Sequence, residues 1–211
     1  MGRYPLSHNA GKHLDRFFHD ILTFHIPFNL NVKILDPTCG RKYLWKYFLK
    51  RTLDGNRLLD RYGEVVFSDI RDFGQKVVSD FRELPNVFDN VFDVIVFDPP
   101  YFFGYKGSDD PRRKDYGGYC QTYEGLVLYM EDGNEVFPEL LKNNGKVIVK
   151  CADQYQIKLR RFFSHHITWV NKFTNFDLID CYVFVHHRLS PTAFQVKNRP
   201  CSVIMHTYFL V

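Results

Sequence analysis

Four apolar runs of this 211-residue chain each close on an aspartate: Val32–Asp36, Glu64–Asp69, Val77–Asp80 and Asp93–Asp98. Short apolar runs bounded by turn signals read as strands buried on both faces, and segments of helical character lie between them. Strands alternating with helices imply an α/β fold with a mostly parallel sheet and crossover helices. In an open parallel sheet, ligands bind beyond the carboxyl ends of the strands. The four aspartates should therefore project to one edge, where a site would lie.

The remaining pattern completes that sheet. Leu14, Phe17, Phe18, Ile21 and Leu22 recur with a helical period, predicting an N-terminal helix over Asn9–Phe24 within a helical segment 1–30. A helix follows the first strand to about Leu53, where Asp54-Gly55-Asn56 breaks the chain. A later helix ends at Asn143-Asn144-Gly145, a C-cap sequence, before a fifth strand over Lys146–Lys150. A helical stretch over Tyr155–Val170 comes next. Two final strands, Leu178–Leu189 and Ser202–Val211, have no helix between them and should pair antiparallel as a closing β-hairpin. Seven strands result, in a single domain spanning 1–211 without repeat or linker. No stretch approaches the ~20 apolar residues of a membrane span, and Met1–Pro5 carries no apolar signal region. The expected location is cytoplasmic. The five cysteines form no C-x-x-C and are odd in number, so neither a metal site nor a disulfide frame is indicated. No G-x-S-x-G elbow or phosphate-binding loop is present.

Asp98-Pro99-Pro100-Tyr101, behind the run Phe92–Phe97, carries the most specific chemistry. The prolines fix φ and supply no N–H, leaving local carbonyls free to accept. A carboxylate beside a free carbonyl suits an NH2 group, which has two protons to donate, and the aromatic ring can stack on a flat heterocycle. The second signal is Val32–Gly40, with its Asp36-Pro37-Thr38-Cys39-Gly40 turn, followed by the aromatic and basic stretch Tyr43–Leu49. It reads as strand, tight turn and helix.

With both elements the chain resembles a Rossmann-like class I S-adenosylmethionine-dependent methyltransferase of the amino-methylating, DPPY type. The resemblance spans residues 32–151 by motif and the remainder by strand order. It implies S-adenosylmethionine as cofactor, held by Asp36, Pro37, Thr38, Cys39 and Gly40. Asp69 would accept the ribose hydroxyls and Asp80 the adenine amine, with Phe81 beside the ring. It implies Asp98, Pro99, Pro100 and Tyr101 as the catalytic set. It also implies methyl transfer to an exocyclic base amine of nucleic acid, adenine N6 in DNA favoured over RNA. The alternatives are an RNA base N-methyltransferase (guanine N2 or adenine N6) and a catalytically silent nucleic-acid-binding subunit. One departure stands out: Arg41-Lys42 follows Gly40 where many relatives have G-x-G, and extra glycines are what let a backbone approach its ligand closely.

Further features bear on partners. The segment 101–123 interleaves bases (Lys106, Arg112, Arg113, Lys114) with rings (Phe102, Phe103, Tyr105, Tyr116, Tyr119), a composition suited to a nucleic-acid strand. Residues 154–211 hold seven Lys/Arg against two Asp, whereas the whole chain carries +4, a balance that suits contact with phosphates and equally a solvated basic surface. The expected partner is nucleic acid and not a membrane, and a homodimer is open to the chain. The resemblance also implies that His8 and Asn9 lie close to the cofactor. Adjacent histidines (His165-His166, His186-His187) point apart and read as structural. Lys150 and Asp153 lie close to the ligand edge, where they could touch substrate, and read first as a solvated strand end.

Overall fold

The computed structural model describes residues 13–104, 122–156, 159–185 and 206–211. His8, Asn9, His186, His187 and most of the 101–123 segment lie outside them. Five strands run parallel: β1 (Lys33–Asp36), β4 (Glu64–Asp69), β5 (Val77–Val78), β6 (Phe92–Phe97) and β7 (Leu141–Cys151). β11 (His206–Leu210) pairs antiparallel with β7, and β10 (Cys181–Val185) pairs antiparallel with β11. The seven-stranded order is β10-β11-β7-β6-β1-β4-β5, so the sheet is mixed, mostly parallel, and closed by the expected hairpin. From β1 the chain first builds outward through β4 and β5, then crosses back to β6 and β7 on the other side. The direction of strand order thus reverses between β1 and β6, the position where open sheets form a ligand crevice.

Alternation along the strands divides the core into two layers. Leu35, Ile95, Phe97, Val147 and Val149 face α3 (Tyr123–Leu140) and α4 (His165–Lys172). Ile34, Val94, Val96 and Ile148 face α1 (Leu14–His25) and α2 (Lys46–Lys50). In α1, the apolar stripe Phe17, Phe18, Ile21 and Leu22 is buried, as its period required.

Three expectations need correction. The helix after β1 does not reach Leu53: it is a 3-10 turn over Tyr43–Trp45 followed by the single α-helical segment α2, which stops at Lys50. Thr52–Leu53 (β2) and Asn56–Arg57 (β3) then pair across Asp54-Gly55, both at positive φ, so this turn signal makes a hairpin instead of simply ending a helix. α3 ends at Leu140, ahead of the expected cap at Asn143-Asn144-Gly145. Pro138 has no N–H for the Asn134 carbonyl, which accepts instead from Asn175 Nδ2 at 3.0 Å. Asn144 (φ 64) and Gly145 fall inside β7, where the register against β6 jumps from Phe92↔Leu141 to Val94↔Lys146. Finally, Tyr155–Val170 is not one helix. Gln154–Gln156 (β8) and Arg161–Phe163 (β9) form a hairpin, and only the end of the stretch enters α4.

Candidate active site

The turn leaving β1 is held by its own side chains. Asp36 is 1% exposed and accepts from Thr38 N at 3.0 Å and from Trp45 Nε1 at 2.6 Å. Burial pushes its carboxyl up to about 8; the two N–H donors oppose the rise, and Asp98 and Asp69 add to it. Cys39 N donates to Ser68 O at 3.0 Å and Gly40 N to Asp69 Oδ2 at 2.9 Å, fixing the turn to the end of β4. The Cys39 thiol is raised to about 12 by burial, with Asp36 and Asp69 adding, so it is not a nucleophile. Gly40 sits at φ +47, and a Cβ built there would meet no atom within 4 Å. The backbone is therefore open to a ligand at that point.

The missing second glycine has a structural answer. Lys42 itself adopts the left-handed conformation, φ 58 and ψ 33, that glycine would supply. Its ammonium lies 4.9 Å from the centroid of the Phe67 ring, and its side chain lines neither cleft described below. The turn keeps its glycine-like path at a cost of about 1 kcal/mol.

Asp69 closes β4 with its second oxygen, Oδ1, accepting from Arg71 N at 3.0 Å. Each carboxylate oxygen has further acceptor capacity. Asp80 lies two residues past β5, outside the strand expected to contain it. It caps a 3-10 turn over Phe81–Asn86 and pairs with Arg82 Nη2 at 2.6 Å, and Arg82 also reaches Asp132. Phe81 is 2% exposed, with its ring against Tyr129 and Phe97, so only its edge reaches the cleft.

Asp98 follows β6 directly, and its N–H donates to Thr38 Oγ1 at 3.0 Å, joining the two motifs across the switch point. Lys150 Nζ lies 2.6 Å from Asp98 Oδ1 and 3.3 Å from the Tyr101 hydroxyl. Lys150 is 7% exposed, so the expectation of a solvated strand end is corrected: its side chain points inward to the shelf. Burial by itself would lower its ammonium, but the Asp98 carboxylate and the Tyr101 oxygen more than offset this and hold it above the ordinary lysine value. One cation thus fixes both functional side chains of the shelf. Beyond Tyr101, Phe103 N donates to Gln154 Oε1 at 3.0 Å, and Phe103 O accepts from Gln154 Nε2 at 2.9 Å and Gln156 Nε2 at 3.1 Å. Gly104, at φ +77, is packed so closely on Gln156 that a Cβ would collide with it. The β8–β9 hairpin therefore anchors the exit of the shelf.

Two clefts meet at Asp98. One, partly open to solvent, is lined by Thr38, Gly40, Asp69, Asp80, Asp98 and Pro100 among others. The other, also open to solvent, is bordered by Asp36, Cys39, Tyr43, Pro99, Tyr101 and Lys150 together with Thr38, Gly40 and Asp98 again. Pro37 joins the first cleft with Phe81. All twelve expected site residues consequently border one or other opening. Lys150 and the Gln154 clamp were missed. A lysine inside Val147-Ile148-Val149-Lys150-Cys151, a run buried on both faces, is the signal that was present, because lysine is almost never buried without a partner. Among the described residues no cluster of metal-ligating side chains occurs, and no helix is long and apolar enough to cross a membrane.

No family model matches the chain, and no curated protein matches it in sequence. Solved structures do match. TrmN from Thermus thermophilus superposes with a TM-score of 0.54 at 15% identity over 99% of this chain, which spans 51% of TrmN, about half its length. A proposed sarcosine dimethylglycine methyltransferase from Galdieria sulphuraria superposes with a TM-score of 0.51 at 12% identity, over 93% of this chain and 83% of the other. A SAM-dependent methyltransferase from Leishmania major gives 0.49 at 11% identity, over 93% and 70%. At such identities the likeness is one of fold. The chain has the Rossmann-like, mostly parallel fold of these structures, and S-adenosylmethionine is the cofactor that its motif resemblance implies. The residues present fit that group: the space at Gly40 is open, and the Asp69 carboxylate borders the first cleft with acceptor capacity left.

Proposed function

We propose that this chain transfers the methyl group of S-adenosylmethionine to an exocyclic amine of a nucleobase, with adenine N6 in DNA as the first choice. The observation that supports it most is the position of Asp98, held by Thr38 at the switch point with one cleft on either side. The first cleft, with Gly40 and Asp69, suits the cofactor, and the second, with Pro99, Tyr101 and Lys150, suits the base.

S-adenosylmethionine supplies an electrophilic methyl group on a sulfonium. The chain's own residues handle the amine. An aryl amine is a poor nucleophile because its lone pair is delocalised into the ring. Asp98 Oδ2, without a partner among the described residues, and the Pro99 carbonyl would accept hydrogen bonds from its two N–H groups and return density to nitrogen. Tyr101 would stack on the ring. Lys150 is a positioning residue: it holds Asp98 Oδ1 and the Tyr101 hydroxyl in place before substrate arrives, so less order has to be imposed during the reaction. A base in a duplex must first be extruded at a cost of a few kcal/mol. The choice of adenine follows from the Asp at the first position of the tetrad, which leans that way in the enzymes the motif resembles.

Calorimetric titration with S-adenosylmethionine, run beside a transfer assay on DNA and RNA pools, tests the division of labour. Asp69→Ala should weaken cofactor binding, whereas Asp98→Ala should leave cofactor binding largely intact and transfer nothing. Wild-type turnover by Asp98→Ala would show the assignment of the shelf to be wrong.

A further inference from the structure

The segment leaving the Gly40 turn does more than fill space between β1 and the hairpin. Leu44, Trp45 and Phe48 are its buried face. Around them Tyr43, Lys46 and Lys50 are exposed, exposed Arg51 follows at the C-cap of α2, and Tyr47 is half-buried against His19. With Arg41 and Lys42, residues 41–53 hold five cations and no acid; the first carboxylate is Asp54. Tyr43 is 62% exposed, a large ring that the core does not use. Lys46 Nζ sits 4.0 Å from the Tyr43 ring centroid, and the Arg51 guanidinium 5.7 Å from that of Tyr47. These are rings paired with cations, in contrast to Arg57, Lys142 and Lys172, which all pair with carboxylates. No carboxylate among the described residues pairs with Lys46, Lys50 or Arg51.

This basic segment also leads somewhere. Tyr43 borders the second cleft beside Pro99, Tyr101 and Lys150. A shallower opening continues outward from Asp98 and Lys150 past Tyr43 and Lys46, and His13 and Asp15 line it as well. The basic face therefore begins where the target base would be held and runs away from it over the surface.

We infer that the outward face of Tyr43–Arg51 is a track for an extended single strand of nucleic acid: Tyr43 stacks on the base next to the target, and Lys46, Lys50 and Arg51 take successive phosphates. This deepens the reading of the site as one for a base amine and rests on it. Single-stranded recognition of this kind joins a positive path for the backbone to aromatic faces, and tolerates any sequence because every base has a π-face. A rise of 1.5 Å per residue sets Lys46 and Lys50 about 6 Å apart along the axis. A duplex would offer Tyr43 no open base face, whereas a strand with an extruded or unpaired target does. This track lies on neither the 101–123 segment nor the basic C-terminal third.

The test uses a fluorescein-labelled single strand of about 12 nucleotides, as DNA and as RNA of equivalent sequence, with the matching duplex as a third arm. Affinity is measured across a salt series for the wild type, for Tyr43→Ala and for the Lys50→Ala/Arg51→Ala pair, which borders neither cleft. The double variant should bind the strand on the order of tenfold more weakly, and its slope of log affinity against log salt should fall by about 1.4, from ~0.7 per lost phosphate contact. Tyr43→Ala should weaken binding roughly 5- to 150-fold and leave the slope unchanged. S-adenosylmethionine titration of each variant should match the wild type, which separates loss of the track from loss of the fold. If the wild type binds strand while the folded double variant keeps its affinity and slope, the track is refuted and the base-amine reading stands. If the wild type binds duplex but neither single strand, the track alone is refuted; if it binds neither single strand nor duplex, both are refuted. Tighter binding to duplex than to single strand also overturns the track.

Discussion

Lys150→Met removes the cation that holds the shelf and keeps a side chain of similar length. Unit charges 2.6 Å apart attract by about 6 kcal/mol at an effective dielectric of ~20. Much of that is offset by the cost of burying an ammonium whose side chain is only 9% exposed. The Asp98 side chain, 25% exposed, also regains some hydration once the lysine is gone. The net coupling should be about 2 kcal/mol. Urea unfolding of the wild type, Lys150→Met, Asp98→Asn and the double variant measures it directly. Each single change leaves one buried group without its counter-charge, so the double variant should be less destabilised than the two single effects summed, by that coupling. Losses that add to within ~0.5 kcal/mol, the usual error for independent sites, would show that the contact does not couple the two residues. The reasoning about a pre-set shelf would fail with it. The ammonium is held above its ordinary value, so this contribution is fully present below the unfolded lysine value and is lost only as pH rises through the higher folded value. The coupling should consequently be the same at pH 6 and pH 8.

Three further outcomes follow from the turn and the shelf exit. Asp36 binds its proton more tightly in the folded state, so its contribution to stability is greatest below the unfolded value of about 4 and declines as pH rises to about 8. Trp45→Phe removes an N–H that stabilises the carboxylate and raises Asp36 further. The stability gap between variant and wild type should hold steady below about pH 7 and widen above about pH 8, whereas a constant gap in pH-dependent unfolding would contradict the account. Lys42→Gly should change stability by less than about 1 kcal/mol, because strain relief and lost ring contact oppose, while Lys42→Val should cost about 1–2 kcal/mol; thermal or urea unfolding reads both. Gly104→Ala should cost about 1–3 kcal/mol through its positive φ and displacement of Gln156, and it should reduce transfer more than cofactor binding, since it disturbs the shelf exit and not the first cleft.

What could be read ahead of the coordinates follows the range of the interactions involved. Strands β1 and β6 were legible because burial on both faces leaves a continuous apolar run, whereas β4 and the closing pair are only partly buried and were read from their apolar content and from the lack of a helix between the last two strands. The edge of the sheet came with them, since each run ends in an aspartate. Local turn chemistry was visible but its outcome was not. Asp54-Gly55 marks a break, and only the pairing of Thr52 with Arg57 makes it a hairpin. Asn143-Asn144-Gly145 resembles a helix cap, yet α3 stops three residues earlier at Leu140, because Leu141 already pairs with Phe92 of β6. The Tyr155–Val170 stretch shows helical character, but Gln154 and Gln156 are drawn into a hairpin against Phe103, a partner about 50 residues away. Lys150 belongs to the same class. Its neighbours in sequence describe a strand, and its role depends on Asp98 and Tyr101, which only the sheet brings within reach.

Nucleoside mass analysis of DNA and RNA after reaction with methyl-labelled S-adenosylmethionine addresses the central claim most directly. The account predicts label on an exocyclic base nitrogen, adenine N6 in DNA foremost, present with the wild type and gone with Asp98→Ala. Label on a ribose oxygen, a ring carbon or a ring nitrogen, or label on a base amine that persists undiminished in Asp98→Ala, would contradict it.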